Sequence, residues 1–338
     1  MGVSSVLESY SKIENYHIGS QMEAAHGSLM HISIDGIVPV MLTPFTDADR
    51  IDETGLERLV EWYLDNGADA LFAVCQSSEM QKLTLDERIS LARSTVRFAA
   101  GRVPVVASGH ISDSPEDQIA ELAAMAETGI GALVLVTNRL DPRNGGFEVF
   151  RSALETILKH LPSDLPLGLY ECPAPYRRLL SDDEMKLCRD TGRFVVLKDV
   201  SCDLETVRRR ARMTAGTSFA IVNANAAIAF EAMRAGSRGF GGVFTNFHPD
   251  LYAWLYAHRE EDSPLIRDLA VYLALSAMAE GMGYPKLAKL YHQRLGTFEC
   301  THSRVTDYHP FERHWASADL LDHIHVGAER FRALIADT

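Results

Sequence analysis

Lys198 closes the apolar run Phe194-Val195-Val196-Leu197-Lys198. An ammonium group avoids a buried strand unless it is paired or put to use. One use is a desolvated, neutral amine that attacks a ketone and forms a Schiff base. To be neutral near pH 7 its pKa must fall by about three, worth roughly 4 kcal/mol, which burial can supply and a loop surface cannot. In a regular strand Val196, Lys198 and Val200 share one face, and Leu197 and Asp199 share the other. The plain alternative is a structural lysine paired with Asp199 or Glu79. Tyr170 ends the run Leu167-Gly168-Leu169-Tyr170. Facing inward, its phenol can shuttle protons between a carbinolamine, an imine and a substrate oxygen, or it can serve as a core tyrosine with a satisfied hydroxyl. Cys75-Gln76-Ser77-Ser78-Glu79 puts two hydroxyls after another apolar run. Such hydroxyls beside backbone amides can hold a carboxylate, although serines are also ordinary turn residues.

The elements that must position these groups follow a steady alternation. From Ile37 onward eight strand-length apolar runs are separated by amphipathic stretches: Ile37 to Leu42, Ala70 to Val74, Pro104 to Ala107, Ala132 to Val136, Pro166 to Tyr170, Phe194 to Lys198, Phe219 to Val222 and Phe240 to Thr245. Unbroken βα alternation of this length predicts an α/β fold, a closed (β/α)8 TIM barrel with a C-terminal helical extension. Lys198 then lies at the C-terminal end of its strand, where barrels keep reactive groups. Thr84 with Glu87, and Ser181 with Glu184, have capping-box spacing. Ser114-Pro115 reads as an N-cap with proline at the first helical position. Leu122, Ala123 and Ala126 read as the apolar stripe of the helix that follows. The expected boundaries are an N-terminal arm over 1–33, the barrel over 34–262 and the helical extension over 263–338.

The chain has 338 residues, 46% hydrophobic content and a net charge of −13, enough for one large core and unsuited to a nucleic-acid groove or an anionic membrane surface. No apolar run has the length of a membrane span and no signal-peptide core is evident. Five cysteines without a C-x-x-C pair read as reduced thiols in a cytoplasmic protein. His323-Ile324-His325 lacks the companions of a closed metal site, so the expectation is surface histidines and no metal.

Together these residues carry a resemblance. The chain resembles the dihydrodipicolinate synthase and N-acetylneuraminate lyase superfamily of pyruvate-dependent class I aldolases over about residues 35 to 295. The matching pieces are Val40-Met41-Leu42-Thr43-Pro44-Phe45, Gln76-Ser77-Ser78-Glu79, Tyr170-Glu171-Cys172-Pro173 and Leu197-Lys198-Asp199. The interval between Tyr170 and Lys198 also matches. The resemblance implies that Lys198 forms the Schiff base with pyruvate or another 2-keto acid and that Tyr170 relays protons. It implies that Ser77, with Ser78 or Gln76, holds the keto-acid carboxylate, and that backbone at Ala224 and Gly241 lines the site. No metal or organic cofactor is implied, since the covalent lysine–substrate imine does the work. The implied partners are a 2-keto acid, an aldehyde and further copies of the chain in a homodimer or homotetramer.

The acceptor half departs from the family pattern. Pro175 stands where dihydrodipicolinate synthase places an arginine for the aldehyde's carboxylate, and Thr137-Asn138-Arg139-Leu140 lacks the second tyrosine expected after strand four. Cys75 and Ser78 replace glycines of the usual turn. Arg139, Arg143, Tyr176 and Arg177 are the candidates for acceptor recognition. The reading is a Schiff-base-forming carbon–carbon lyase with an altered acceptor pocket. The alternatives are a 2-keto sugar-acid dehydratase using the same lysine, a non-catalytic keto-acid-binding barrel, and a phosphosugar enzyme with Gly239 to Gly242 as its anion site. For those glycines, close backbone approach to the ligand is the preferred explanation.

Overall fold

The structure is a computed structural model that describes residues 32–315 and 317–338. Most of the expected arm over 1–33 therefore lies outside the described residues. Eight parallel strands follow one another: β1 (Gly36–Ile37), β2 (Leu71–Phe72), β3 (Val105–Ala107), β4 (Ala132–Val136), β5 (Leu167–Tyr170), β6 (Phe194–Asp199), β7 (Ala220–Asn223) and β8 (Gly239–Phe240). From β2 to β8 each pairs with its neighbour in sequence, and β8 returns to β1 through Gly36↔Gly239. Between β1 and β2 the barrel closes through a Val40↔Phe72 bridge, with Phe72 N donating to Pro39 O at 2.9 Å. β1 is short because Pro39 has no N–H to give the ladder.

Helices follow the strands and cover the barrel. Thr84 and Ser181 each form the reciprocal box with Glu87 and Glu184, and Ser114 caps the helix that opens on Pro115. In that last helix the expected stripe is displaced: Gln118, Glu121, Leu122 and Met125 are buried and Ala123 is exposed. Glu121 tolerates burial because Arg88 donates to it at 2.9 Å and the backbone amides of Ile111 and Ser112 also bind it.

The run Phe240 to Thr245 is not one strand. β8 stops at Phe240, and Val243–Asn246 forms a single 3-10 turn. The glycines explain the break. A Cβ on Gly239, whose φ is +146°, would collide with the Gly36 carbonyl, and one on Gly242 would lie 2.6 Å from Ala224 O. Close approach of neighbouring segments within the barrel therefore requires Gly239 and Gly242. Beyond the barrel, helices Pro264–Ser276, Lys286–Arg294 and Ser317–Ala336 complete the chain. A 3-10 stretch, Ala277–Met282, packs beside Val243–Asn246 at the C-terminal end of β8.

Candidate active site

β5 and β6 pair in a register that sets Tyr170 directly opposite Lys198. Val196 and Lys198 face the lumen, and Asp199 faces the outer helices. Lys198 is 8% exposed, with its Nζ 4.4 Å from the centre of the Tyr170 ring and 5.8 Å from that of Phe72. Beneath it Val38, Val134, Leu169, Val196 and Val222 leave about 10 Å³ of free space, about one water. Burial pushes the amine below the ordinary lysine range, with the Cys75 and Cys172 thiols and the Glu280 carboxylate acting in the opposite direction.

The carboxylates that could have paired with Lys198 are engaged elsewhere. Asp199 and Glu171 are both bound by the guanidinium of Arg210, and all three side chains are fully buried. Glu171 follows Tyr170 and Asp199 follows Lys198, so one arginine ties the ends of β5 and β6 from behind. Glu79 accepts from Lys289 Nζ at 2.5 Å and from Ser303, Arg304 and Val305 of the C-terminal segment. Lys198 has no ion pair among the described residues.

Tyr170 is 2% exposed and packs edge-on against Phe72 at 5.5 Å. Its hydroxyl bonds the Cys172 thiol, and burial raises it well above the usual phenol range. Cys172 Sγ lies 3.6 Å from Gln76 Oε1, so the Gln76 amide and the Tyr170 hydroxyl meet at one sulfur. Ser77 is 4% exposed and hydrogen-bonds the Tyr284 hydroxyl. The structure does not present Ser78 to a ligand. Its hydroxyl accepts from Cys75 N at 2.6 Å and donates to Cys75 O at 2.8 Å, which holds the turn together. Gly241 lines the lumen, with its N–H on Asn223 O at 2.9 Å, while Ala224 donates its N–H to Asp199 O at 3.0 Å.

Tyr284 had no strand or motif to announce it. Its hydroxyl accepts from Asn246 Nδ2 at 3.0 Å, and Asn246 Oδ1 accepts from Tyr63. The pair Tyr284-Pro285, at the entry to a helix, was the one local signal available. Glu280, in the adjacent 3-10 stretch, was equally silent. Burial raises its carboxyl above the ordinary range, and its charge acts against the lowering of the Lys198 amine. Gln76 and Tyr284 are only partly buried.

Of the four acceptor candidates, three are bonded within the protein and one is exposed. Arg139 bonds Asp113 at 2.6 Å and lines a separate surface groove with Leu140 and Val149. Arg177 donates to the carbonyls of Val200 at 3.0 Å and Ser201 at 3.4 Å. The Tyr176 hydroxyl donates to Asp141 O at 2.9 Å, and Arg143 is exposed. The late histidines do not form a cluster. His323 and His325 stand two apart on a helix and diverge; His325 meets the Tyr291 hydroxyl at 3.4 Å and His323 is exposed. Among the described residues no group of three or more His, Cys, Asp or Glu could hold a metal ion, and no helix is long and apolar enough to cross a membrane.

The chain has relatives among known proteins. The profile described as the Dihydrodipicolinate synthetase family matches residues 33–273. The chain is similar to a 4-hydroxy-tetrahydrodipicolinate synthase of Shewanella baltica (strain OS155 / ATCC BAA-1091), 25% identical over 282 residues that cover 80% of this chain and 91% of the relative. In fold it is similar to a dihydrodipicolinate synthase from Bacillus anthracis, with a TM-score of 0.77, 23% identity and coverage of 86% of this chain and 98% of that one. It is likewise similar to the chloride-inhibited dihydrodipicolinate synthase from Acinetobacter baumannii solved with pyruvate, with a TM-score of 0.74, 21% identity and coverage of 86% and 98%.

Proposed function

This chain belongs to the dihydrodipicolinate synthetase family, and from that premise we propose that it is a Schiff-base-forming carbon–carbon lyase acting on pyruvate or a related 2-keto acid. The observation that carries the reading is the Lys198 amine, desolvated in an apolar lumen without an ion pair and set against Tyr170.

The neutral amine attacks the C2 carbonyl to give a carbinolamine, which loses water to form an iminium. The iminium is the electron sink, so the cycle calls for no metal or organic cofactor. Tyr170 serves the proton transfers at the carbinolamine. Ser77 holds the keto-acid carboxylate with Gln76 beside it, and the backbone at Ala224 and Gly241 lines the site. Loss of a C3 proton gives an enamine whose C3 adds to an aldehyde carbon, and water then releases Lys198; the reverse sequence cleaves the bond. The acceptor pocket differs from that of dihydrodipicolinate synthase, a reading supported by Pro175 at the place of the arginine.

Enamine formation can be tested without knowing the acceptor. Pyruvate incubated with the protein in deuterium oxide is expected to lose its methyl proton signal faster than in buffer. Lys198→Ala is expected to abolish the acceleration. Equal exchange with folded Lys198→Ala protein would remove the lysine from the reaction. The chain is also expected to self-associate as a homodimer or homotetramer. Val271, Leu275 and Met278 support this, being an exposed apolar stripe at 58%, 68% and 75%. Light scattering reads the mass directly, and a monomer at micromolar concentration would contradict it.

A further inference from the structure

A carboxylate only accepts hydrogen bonds, and its oxygens offer about four places to receive them. In the turn after β2, Ser78 keeps its hydroxyl to itself, bonded to Cys75 N and O, which leaves that of Ser77. A second hydroxyl meets Ser77 from far along the chain, that of Tyr284. Tyr284 stands between the 3-10 stretch Ala277–Met282 and the helix Lys286–Arg294. A chain of bonds holds it in place. Leu42 N–H donates to the Tyr63 hydroxyl at 3.4 Å, and Tyr63 O–H donates to Asn246 Oδ1. Asn246 Nδ2 then donates to the Tyr284 hydroxyl at 3.0 Å. Thr43, beside Leu42, donates to Ser78 O at 2.7 Å, so the same cluster abuts the turn that carries Ser77.

The direction of that chain is fixed. Asn246 Nδ2 also meets the carbonyls of Val40 at 2.9 Å and Val243 at 3.0 Å, which only an NH2 group can do. An amide nitrogen donates and does not accept. The Tyr284 oxygen therefore receives a hydrogen from Asn246, and its own O–H points elsewhere. Tyr63 and Asn246 are fully buried, and in a buried chain each bond polarises the next, so the donors strengthen toward Tyr284. Burial also raises the Tyr284 phenol well above its usual range, which keeps it protonated. The cluster thus ends in hydroxyls with hydrogens to give, the polarity that an anion calls for. We infer that Tyr284 is a substrate-binding residue: its hydroxyl and that of Ser77 both donate to the keto acid's carboxylate, Tyr284 filling the place that Ser78 gives up. The inference rests on the keto-acid lyase reading and adds to it the residue that selects 2-keto acids over uncharged ketones.

The test is borohydride trapping on Lys198 with pyruvate and with its uncharged methyl ester, in wild type and in Tyr284→Phe. Loss of the hydroxyl is expected to raise half-saturating pyruvate about 10-fold or more, the weight of a hydrogen bond to a charged group. Half-saturating methyl pyruvate is expected to move by less than about 3-fold. The maximal trapping rate with pyruvate is expected to stay within about 3-fold of wild type, because binding and not chemistry has been weakened. A pyruvyl adduct with unchanged half-saturation in Tyr284→Phe overturns the inference and leaves the lyase reading standing. So does an equal rise for both ketones. Absence of the adduct in wild type overturns both. A crystal structure of the reduced wild-type adduct needs no variant. The Tyr284 oxygen is expected about 3 Å from the pyruvyl carboxylate, and a carboxylate bound without it overturns the inference.

Discussion

A lysine that is buried without a carboxylate partner costs stability and returns it only as reactivity. Lys198 therefore makes a signed prediction. Folded, it binds its proton less readily than in the unfolded chain. Relative to Lys198→Met, the wild type loses stability as pH falls from the lysine value of about 10.4 toward the lowered folded pKa, and the difference stays constant below it. Thermal melts of both proteins at pH 7 should show a higher Tm for the inactive Lys198→Met; a lower one would mean that the amine is stabilised by a partner. Tyr170 adds a second expectation. Removing its hydroxyl as Tyr170→Phe should slow turnover about 100-fold or more while leaving the fold intact. Steady-state kinetics with circular dichroism check this, and an unchanged rate would take Tyr170 out of the proton path.

At the scale of elements, the site depends on how two strand ends are held. Arg210, from the helix Leu204–Thr214, binds the residue after Tyr170 and the residue after Lys198. Arg210→Met would leave two buried carboxylates around an apolar side chain, a loss of about 3–5 kcal/mol. Urea unfolding should report that loss, and a change below about 1 kcal/mol would mean the triad is not what fixes β5 against β6. The strands themselves were readable in sequence because a short continuous apolar run is a local signal, and the alternation of a strand also gave the side on which Lys198 emerges. The 3-10 turn after β8 was not, because it follows from contacts of Gly239 with Gly36 and of Gly242 with Ala224. The buried Glu121 was missed for the same reason, since its partner Arg88 lies 33 residues away. Tyr284 and Glu280 come from beyond the barrel, and Ser78 turned inward to its own loop, where spacing could not distinguish it from Ser77.

The whole molecule carries a pH signature separate from its chemistry. Three buried histidines are held neutral by burial, His110 down to about 4 and His248 and His292 down to about 3. The unfolded chain takes up these protons below about pH 6.5, so stability present at pH 7 is lost as pH falls through 6.5 toward 4. His248 has no hydrogen-bond partner among the described residues. His248→Phe should therefore fold and show a smaller drop in Tm between pH 6.5 and 4 than the wild type. An identical drop would assign the acid sensitivity to other groups.

The central claim is that Lys198 is an uncharged nucleophile for keto acids. Incubation with pyruvate and borohydride, followed by intact mass and peptide mapping, examines it without assuming any acceptor. The account predicts a single pyruvyl addition per chain, located on Lys198 and absent from Lys198→Ala. Protein that remains unmodified, or is modified only on other lysines, would contradict it.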